Sequence, residues 1–442
     1  MTRFGASAST VSRALALLAQ RGLVVSRPGA GTFRAAQEPA ASSGDTTWQE
    51  AALALNPGLA DGNPGARRLH SPGLSNTLAT PSPGVIDLNS GYAHHSLLPM
   101  TALRAALTRA ARSPHAWERP PAGGLADLRM WFAEDIGAGL GREDVLVVGG
   151  GQAALSTAMR AVAQPGDPVL LEAPTYPGTL AAARAAGLRT VSLPVDAHGM
   201  RPDYLDDALG RTGARLVVLQ PLYQNPTGVS LTEGRARELL TVARSHDAFV
   251  LEDDYARHMT HDDGIPPAKP LILLESDGTV IHIRSLTKVT SPNLRIGALA
   301  ARGPVLERLR TVHMIDTLVV PAPLQHTALE VLTSSAWKRS VARLQTALTQ
   351  RRRLAVRTVV ETLGTDALPD HPRGGYHLWL RLPRGTDESE FLSAALARGT
   401  ALAPGTYFHA DQPDVPRVRL SYAAAPTTAD LVTGIHRLEG LV

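Results

Sequence analysis

The sequence predicts an α/β protein built on a mostly parallel sheet, followed by a smaller α+β unit. Two observations carry this. From Val85 onward, short β-branched runs alternate with longer helical patterns, as when strands are joined by covering helices. Polar clusters fall just past the ends of several runs, where open parallel sheets place their functional residues. The 442 residues exceed one ordinary core and suit two or three domains.

The elements follow in order. VLVVGG (145–150) reads as a strand and GQAALSTAMRAVA (151–163) as the helix after it. PVLLEAP (168–174) is a strand and TLAAARAAG (179–187) a helix. ARLVVLQP (214–221), AFVLEDD (248–254) and TVIHIRS (279–285) are further strands, with the helix EGRARELLTVARSH (233–246) between the first two. Residues 321–363 read as a long connecting helix. GGYHLWLRL (374–382), ALAPG (401–405) and RVRLSY (417–422) read as parts of the small α+β unit. Residues 36–84 are rich in Ala, Ser, Gly and Pro and read as a flexible linker. No repeat of fixed period is seen.

Composition sets bounds. Apolar residues make up 44 % and charged residues 19 %, normal for a folded chain. The net charge of +4 does not by itself indicate a nucleic-acid partner; local clustering of Arg decides that. There is no cysteine, which excludes disulfides, thiolate metal sites and Cys nucleophiles. No apolar run approaches the ~20 residues of a membrane helix, and no signal peptide is read, so a cytoplasmic protein is expected.

Three polar groups at strand ends carry chemistry. Lys288 lies in RSLTKVTSPNLRIG (284–297). An isolated Lys there would be an ordinary surface residue. Ser285, Thr287 and Arg295 around it suit a phosphate, while the amine forms a Schiff base with a carbonyl cofactor. Asn225 lies in QNPTG (224–228), which alone is also a plain turn. Asp253 and Tyr255 lie in LEDDYA (251–256), which alone is also a solvated acidic loop. Three such groups on successive strand ends argue together for one site. Neither the group His94–His95 nor the group His261–Asp262–Asp263 is accompanied by a third ligand at helical or strand spacing; both are read as solvated loops, so no metal is expected.

The order G-x-Q (150–152), PTY (174–176), NPTG (225–228), EDDY (252–255), S-x-T-K (285–288), Arg295 and R-L (419–420) resembles the fold type I pyridoxal 5'-phosphate-dependent aminotransferases. The nearest branch holds MocR-type regulators of the GntR family and 2-aminoadipate-type aminotransferases. The resemblance covers residues 85–442. It implies that Lys288 bonds the cofactor and moves a proton, and that Asp253 pairs with the ring nitrogen. It implies that Asn225 and Tyr255 reach the phenolic oxygen and that Tyr176 stacks on the ring. Gly151 and Gln152 at a helix start, with Ser285, Thr287 and Arg295, would complete the cofactor contacts. Arg419 would bind a ligand carboxylate. A homodimer with shared cofactor sites and an amino acid or similar carboxylate-bearing amine are the implied partners. The chain departs from the pattern at Thr287, where Ser is usual, and after EDDY, where ARHMTHDD (256–263) is atypical. Trp117 and Arg119 stand where a Tyr often reaches the partner subunit's phosphate.

At the start, STVSRALALLAQRGLV (9–24) places Val11, Ala14, Leu15 and Leu18 on one helical face, with Gly22 as a stop. VVSRPGAGTF (24–33) reads as two strands around a Pro-Gly turn. The patterns alone suit either a helix and hairpin packed on the main domain or a DNA-reading element. The stretch resembles the recognition helix and wing of a GntR-type winged helix-turn-helix. Ser9, Thr10, Ser12 and Arg13 would then contact DNA. The helices that precede a recognition helix are not found before it, so this module is read as partial and weak DNA binding is expected of the chain as numbered.

The expected organisation is therefore a partial winged helix-turn-helix (1–35), a linker (36–84), a cofactor-binding large domain (85–325), and a connecting helix with a small C-terminal domain (326–442). Two functions follow. One is a regulator that senses an amino compound, or the cofactor itself, through Lys288 and so controls DNA binding. The other is an aminotransferase exchanging an amino group between an amino acid and a 2-oxo acid.

Overall fold

Strands whose side chains alternate between two apolar layers account for the main architecture. The computed structural model describes residues 7–21, 23–35, 71–263 and 266–441, with positions 46, 48, 49, 67 and 69. The chain divides into two units, Met1–Leu59 and Ala60–Val442.

In the first unit a helix spans Ala8–Gln20. The Ser7 hydroxyl caps it, accepting from the Thr10 N–H at 3.2 Å. Val11, Leu15 and Leu18 are half-buried along one side, as their spacing predicts, while Ala14 is exposed. The expected stop, Gly22, lies outside the described residues. Strands β1 (Val24–Arg27) and β2 (Gly31–Arg34) then pair antiparallel, with Val24 opposite Arg34 and Arg27 opposite Gly31. The turn between them uses a left-handed residue, Gly29, with φ 74°.

The second unit opens with a correction. The end of the expected linker is ordered: Pro72–Leu78 is a helix with Gly73 and Thr77 buried. Gly73 is not a linker glycine. A Cβ there would lie 2.9 Å from the Tyr407 Cβ, so its bareness permits close packing. Strand β3 (Ile86–Asp87) follows and pairs, parallel, with β13 (Thr400–Ala401). The start of the expected large domain thus joins a C-terminal segment.

The central sheet uses β4 (Val145–Val148), β5 (Pro168–Ala173), β6 (Arg189–Asp196), β7 (Gly199–Met200), β8 (Leu216–Leu219), β9 (Phe249–Asp254), β10 (Val280–Ser285) and β11 (Gly297–Ala300). Their order is β4-β11-β10-β9-β8-β5-β6-β7. From β10 through β6 every pairing is parallel. β11 runs antiparallel between β10 and β4, and β7 antiparallel beside β6. The predicted strands and the mostly parallel sheet are present. β6, β7 and β11 are additions that the sequence reading did not include.

Alternation is explicit in the core. Val145 and Val147 of β4, with Val217 and Leu219 of β8, join an apolar cluster with Phe132, Leu205 and Leu239 from three helices. Leu146, Val148, Leu216 and Val218 join a second cluster with Leu155, Met159 and Leu309. Each face of the sheet is covered, so its strands are apolar on both sides.

The expected single connecting helix is two. Ala322–Leu332 ends at Thr333, and Ser334 starts Ser335–Leu363. Beyond it, β12 (His377–Arg381) and β14 (Ala403–Pro404) pair antiparallel with β15 (Arg417–Ser421), a three-stranded sheet. Among the described residues no helix is long and apolar enough to cross a membrane.

The strand ends carry a buried charge network. Glu252, Asp254, His282 and Arg284 share one face of β9 and β10, with Glu252 opposite His282 and Asp254 opposite Arg284. His282 Nδ1 lies 2.7 Å from Glu252, and Arg284 donates a hydrogen bond to Asp254 at 3.0 Å and forms an ion pair with Asp135 at 3.1 Å. Glu252, Asp254 and His282 come within 4.8 Å of one another, as metal ligands do. Here Arg284 and Arg257 already neutralise Asp254, and the Leu271 N–H donates to Glu252. Burial opposes ionisation of Asp254, but Arg284 and Arg257 outweigh it and hold the carboxyl below the usual range.

Removing one partner of a buried pair leaves an uncompensated charge. Arg284→Met should lower unfolding free energy by about 3–5 kcal/mol, read from denaturant midpoints. Because Asp254 titrates below its unfolded value, this stabilisation is present above about pH 4 and is lost as pH falls through the folded pKa. An unchanged midpoint would refute the network's part in stability.

Candidate functional site

Asp253 and Ser285 sit one residue out of phase with that network, so they point to the opposite face of the sheet. There, past the ends of β8, β9 and β10, lies a small cavity of about 50 Å³. It gathers Lys288 and all nine residues predicted to hold the cofactor: Gly151, Gln152, Tyr176, Asn225, Asp253, Tyr255, Ser285, Thr287 and Arg295. Tyr92, Leu155, Gln220 and Tyr376 also line it and were missed. Gln220 had a signal, being the first polar residue after β8. Tyr92 and Tyr376 arrive from segments remote in sequence.

One end is shaped for an anion. Gly150, at φ 88°, precedes the helix Gly151–Val162, whose first N–H groups face the cavity end. A Cβ on Gly150 would lie 3.0 Å from the Arg295 guanidinium, and one on Gly151 would lie 3.6 Å from Ser285. Arg295 donates to the Gly149 carbonyl at 2.7 Å, which anchors its guanidinium beside the turn. Thr287 Oγ1 is buried with no hydrogen-bond partner among the described residues. Helix start, hydroxyls and guanidinium fit a phosphate.

The other end holds a carboxylate. Asp253 accepts from Gln220 Nε2 at 2.7 Å. Burial raises its pKa to about 6, with the Gln220 bond opposing. Asn225 Oδ1 accepts from Arg419 at 3.1 Å, and Tyr255 donates to the Tyr223 carbonyl at 2.7 Å. Arg419 does not line the cavity but reaches it through this bond to Asn225, which does. Its Nη2 donates to the Asn89 carbonyl at 2.6 Å, while its buried Nε has no partner among the described residues.

Between the two ends Lys288 donates to the Gly91 carbonyl at 2.6 Å, and its Nζ lies 3.8 Å from the Tyr92 ring centroid. Tyr376 donates to the same carbonyl at 2.8 Å. Burial lowers the Lys288 pKa to about 7; Arg419 and Arg295 add to the effect and Asp253 opposes it.

Ser9, Thr10, Ser12 and Arg13 lie in the other unit and are exposed. The Ser9 and Thr10 hydroxyls each stand 2.8 Å from Ser7 Oγ and so belong to the helix cap. The expected solvated loop at His261 is corrected. His261 is buried, bonds the Gly375 carbonyl at 3.0 Å, and is pushed down to about 4 by burial. Arg352 and Arg353 pair with Asp263. Trp117 and Arg119 are both exposed.

Comparison with known proteins agrees with this geometry. Residues 83–438 match the family model for aminotransferase class I and II, and the chain belongs to that family. The uncharacterized HTH-type transcriptional regulator YdfD of Bacillus subtilis is 28 % identical over 357 residues, covering 80 % of this chain and 73 % of YdfD. The 2-aminoadipate transaminase of Thermus thermophilus is 29 % identical over 379 residues, covering 85 % of this chain and 94 % of the enzyme. The crystal structure of LysN, an α-aminoadipate aminotransferase from Thermus thermophilus complexed with N-(5'-phosphopyridoxyl)-L-leucine, superposes with a TM-score of 0.75. It is 27 % identical, covering 84 % of this chain and 96 % of that one. The fold is that of the fold type I enzymes, and the cofactor is pyridoxal 5'-phosphate.

An amine that titrates near 7 is an aldehyde nucleophile at neutral pH. Its neutral fraction grows as pH rises through the pKa. Capture of pyridoxal phosphate by the cofactor-free protein should therefore speed up between about pH 6 and 8 and then level off. Borohydride trapping and peptide mass mapping would read it; labelling spread over other lysines would contradict the assignment.

Proposed function

We propose that the chain is a pyridoxal-phosphate-dependent transcriptional regulator of the MocR type, whose aminotransferase-like domain binds an amino compound at Lys288 and thereby alters DNA binding. The observation that carries this is the first unit: a capped helix presenting Ser12 and Arg13 to solvent, followed by a two-stranded hairpin. The kinship with YdfD, named an HTH-type regulator, supports it.

Bound in the cavity, pyridoxal phosphate supplies an electron sink for negative charge at an amine-bearing carbon. The chain's residues do the rest. The Gly151 helix start, Ser285, Thr287 and Arg295 hold the phosphate. Asp253, ionised at neutral pH, would pair with the ring nitrogen and favour its protonated form. Tyr176 would stack on the ring, and Asn225 and Tyr255 would reach its phenolic oxygen. Lys288 is the attachment point and proton carrier. Arg419, with its Nε unengaged, receives the ligand's carboxylate. A second copy of the chain is the proposed cover for Trp117, which is 73 % exposed.

A second reading is favoured by the completeness of this set. Lys288, Asp253 and Arg419 are the groups a working aminotransferase needs, and the Thermus thermophilus transaminase aligns over 94 % of its length. The chain would then move an amino group between an amino acid and a 2-oxo acid.

Purified protein should acquire a visible absorption band with pyridoxal phosphate, and Lys288→Ala should lose it. Amino acids that perturb the band without releasing a 2-oxo acid support the regulator; steady release supports the aminotransferase; no band at all overturns both. Arg419→Ala should weaken amino-acid binding by about 10–100-fold, as loss of a charged hydrogen-bond partner implies. Titration of the band gives that affinity, and an unchanged value would remove Arg419 from the ligand site.

In the regulator, Arg13 contacts a phosphate. Arg13→Ala should weaken DNA binding and flatten its dependence on salt by about one counterion. Fluorescence anisotropy across a salt series tests this, and an unaltered slope counts against the contact.

A further inference from the structure

Gln220 touches both flanks of the ring site, yet it belongs to none of the motifs that mark the cofactor. Its side chain is buried, with the residue 4 % exposed. Its Nε2 donates to Asp253 Oδ2 at 2.7 Å, and its Oε1 accepts from the Asn225 N–H at 3.0 Å. This pair of contacts fixes the amide's orientation. Flipped, it would set oxygen against a carboxylate and NH2 against an N–H. From behind, Glu172 Oε2 accepts from the Gln220 backbone N–H at 2.9 Å and from Gln224 Nε2 at 3.4 Å.

The electrostatics suit a fixed support. Burial pushes Glu172 up to about 8, so at neutral pH it is mostly protonated and adds little negative charge near Asp253. Asp253 is buried too, and an N–H donated to one oxygen favours its ionised form. With Oδ2 engaged, Oδ1 takes no hydrogen bond among the described residues and is left to the cavity.

We propose that Gln220 is a positioning residue for the cofactor ring: it clamps Asp253 and the Asn225 backbone in one two-sided contact, so that Asp253 stays ionised and aimed at the ring nitrogen. This rests on Asp253 being the ring-nitrogen partner. Gln220 does not touch the reacting atoms. It acts through Asp253, and the consequence is read on the ring nitrogen rather than on turnover. Without the amide donor, Asp253 protonates more readily in its buried setting, and a neutral carboxyl cannot hold a proton on the ring.

The test uses the full chain loaded with pyridoxal phosphate labelled with ¹⁵N in the ring. The nitrogen chemical shift reports ring protonation, and a fluorescence titration reports affinity. Wild type is expected to show a protonated ring at about pH 7.5. Gln220→Met and Gln220→Leu should both move the shift toward the unprotonated position and weaken cofactor binding by about tenfold or more. Both remove the donor while packing differently, so a change common to the two reports the lost hydrogen bond. An unprotonated ring in wild type overturns the reading of Asp253 and this inference with it. A protonated wild type with unchanged shifts in the variants overturns the role of Gln220 alone. Weaker binding with an unchanged shift also overturns it, since a packing defect gives that result.

Discussion

The alternation of side chains along β9 and β10 governs most of what surrounds the site. Glu252 and Asp254 point one way and Asp253 the other; His282 and Arg284 point one way and Ser285 the other. Two parallel strands in register thus sort six polar residues into two groups. One group meets across the strands as His282–Glu252 and Arg284–Asp254. The other faces the cavity. A slip of one residue would exchange the groups, burying Asp253 among arginines and sending Asp254 toward the ligand. The buried ion pairs therefore bear on register as well as charge balance, because any other register leaves charges unpaired.

Separation of the charges has a chemical consequence. Asp254 is held ionised by two guanidiniums, while Asp253, its chain neighbour, is raised to about 6 by burial. Lys288 is lowered to about 7 in the same cavity. At neutral pH these values leave Asp253 mostly ionised and Lys288 partly neutral, the states their separate roles call for. Asp254 still adds to the rise at Asp253, while Arg284 and Arg257 pair with it on the far face.

Close backbone approach sets the anion end. β11 runs antiparallel between β10 and β4, and a Cβ on Gly297 would lie 2.8 Å from the Arg284 carbonyl and 3.2 Å from the Gly150 Cα. Only glycine tolerates that approach, and it brings the turn at Gly150 beside Arg295. The glycines in GGGQ and RIGA thus act on the same point from strands remote in sequence.

Much of this was legible in the sequence. The strand–helix alternation showed the sheet, because buried parallel strands must be apolar on both faces. The motif residues at strand ends showed the site, because polar groups there have few structural reasons to cluster. Other features were not legible. β11 is four residues, three of them Gly or Ala, β7 is two, and β6 carries Pro194 with most of its residues only half-buried, so none shows a clear strand period. The helix Pro72–Leu78 looks like linker because its Gly73 serves packing. His261 looks like a solvated loop because its partners, Gly375 and Tyr422, lie more than a hundred residues away. The sequence by itself determined the sheet, the cofactor class and the ten residues around the cavity, since period and motif are local properties. Only the tertiary structure decided that Tyr92, Tyr376 and Gln220 join them and which carboxylate is paired away from the ligand, since these depend on contacts between distant segments.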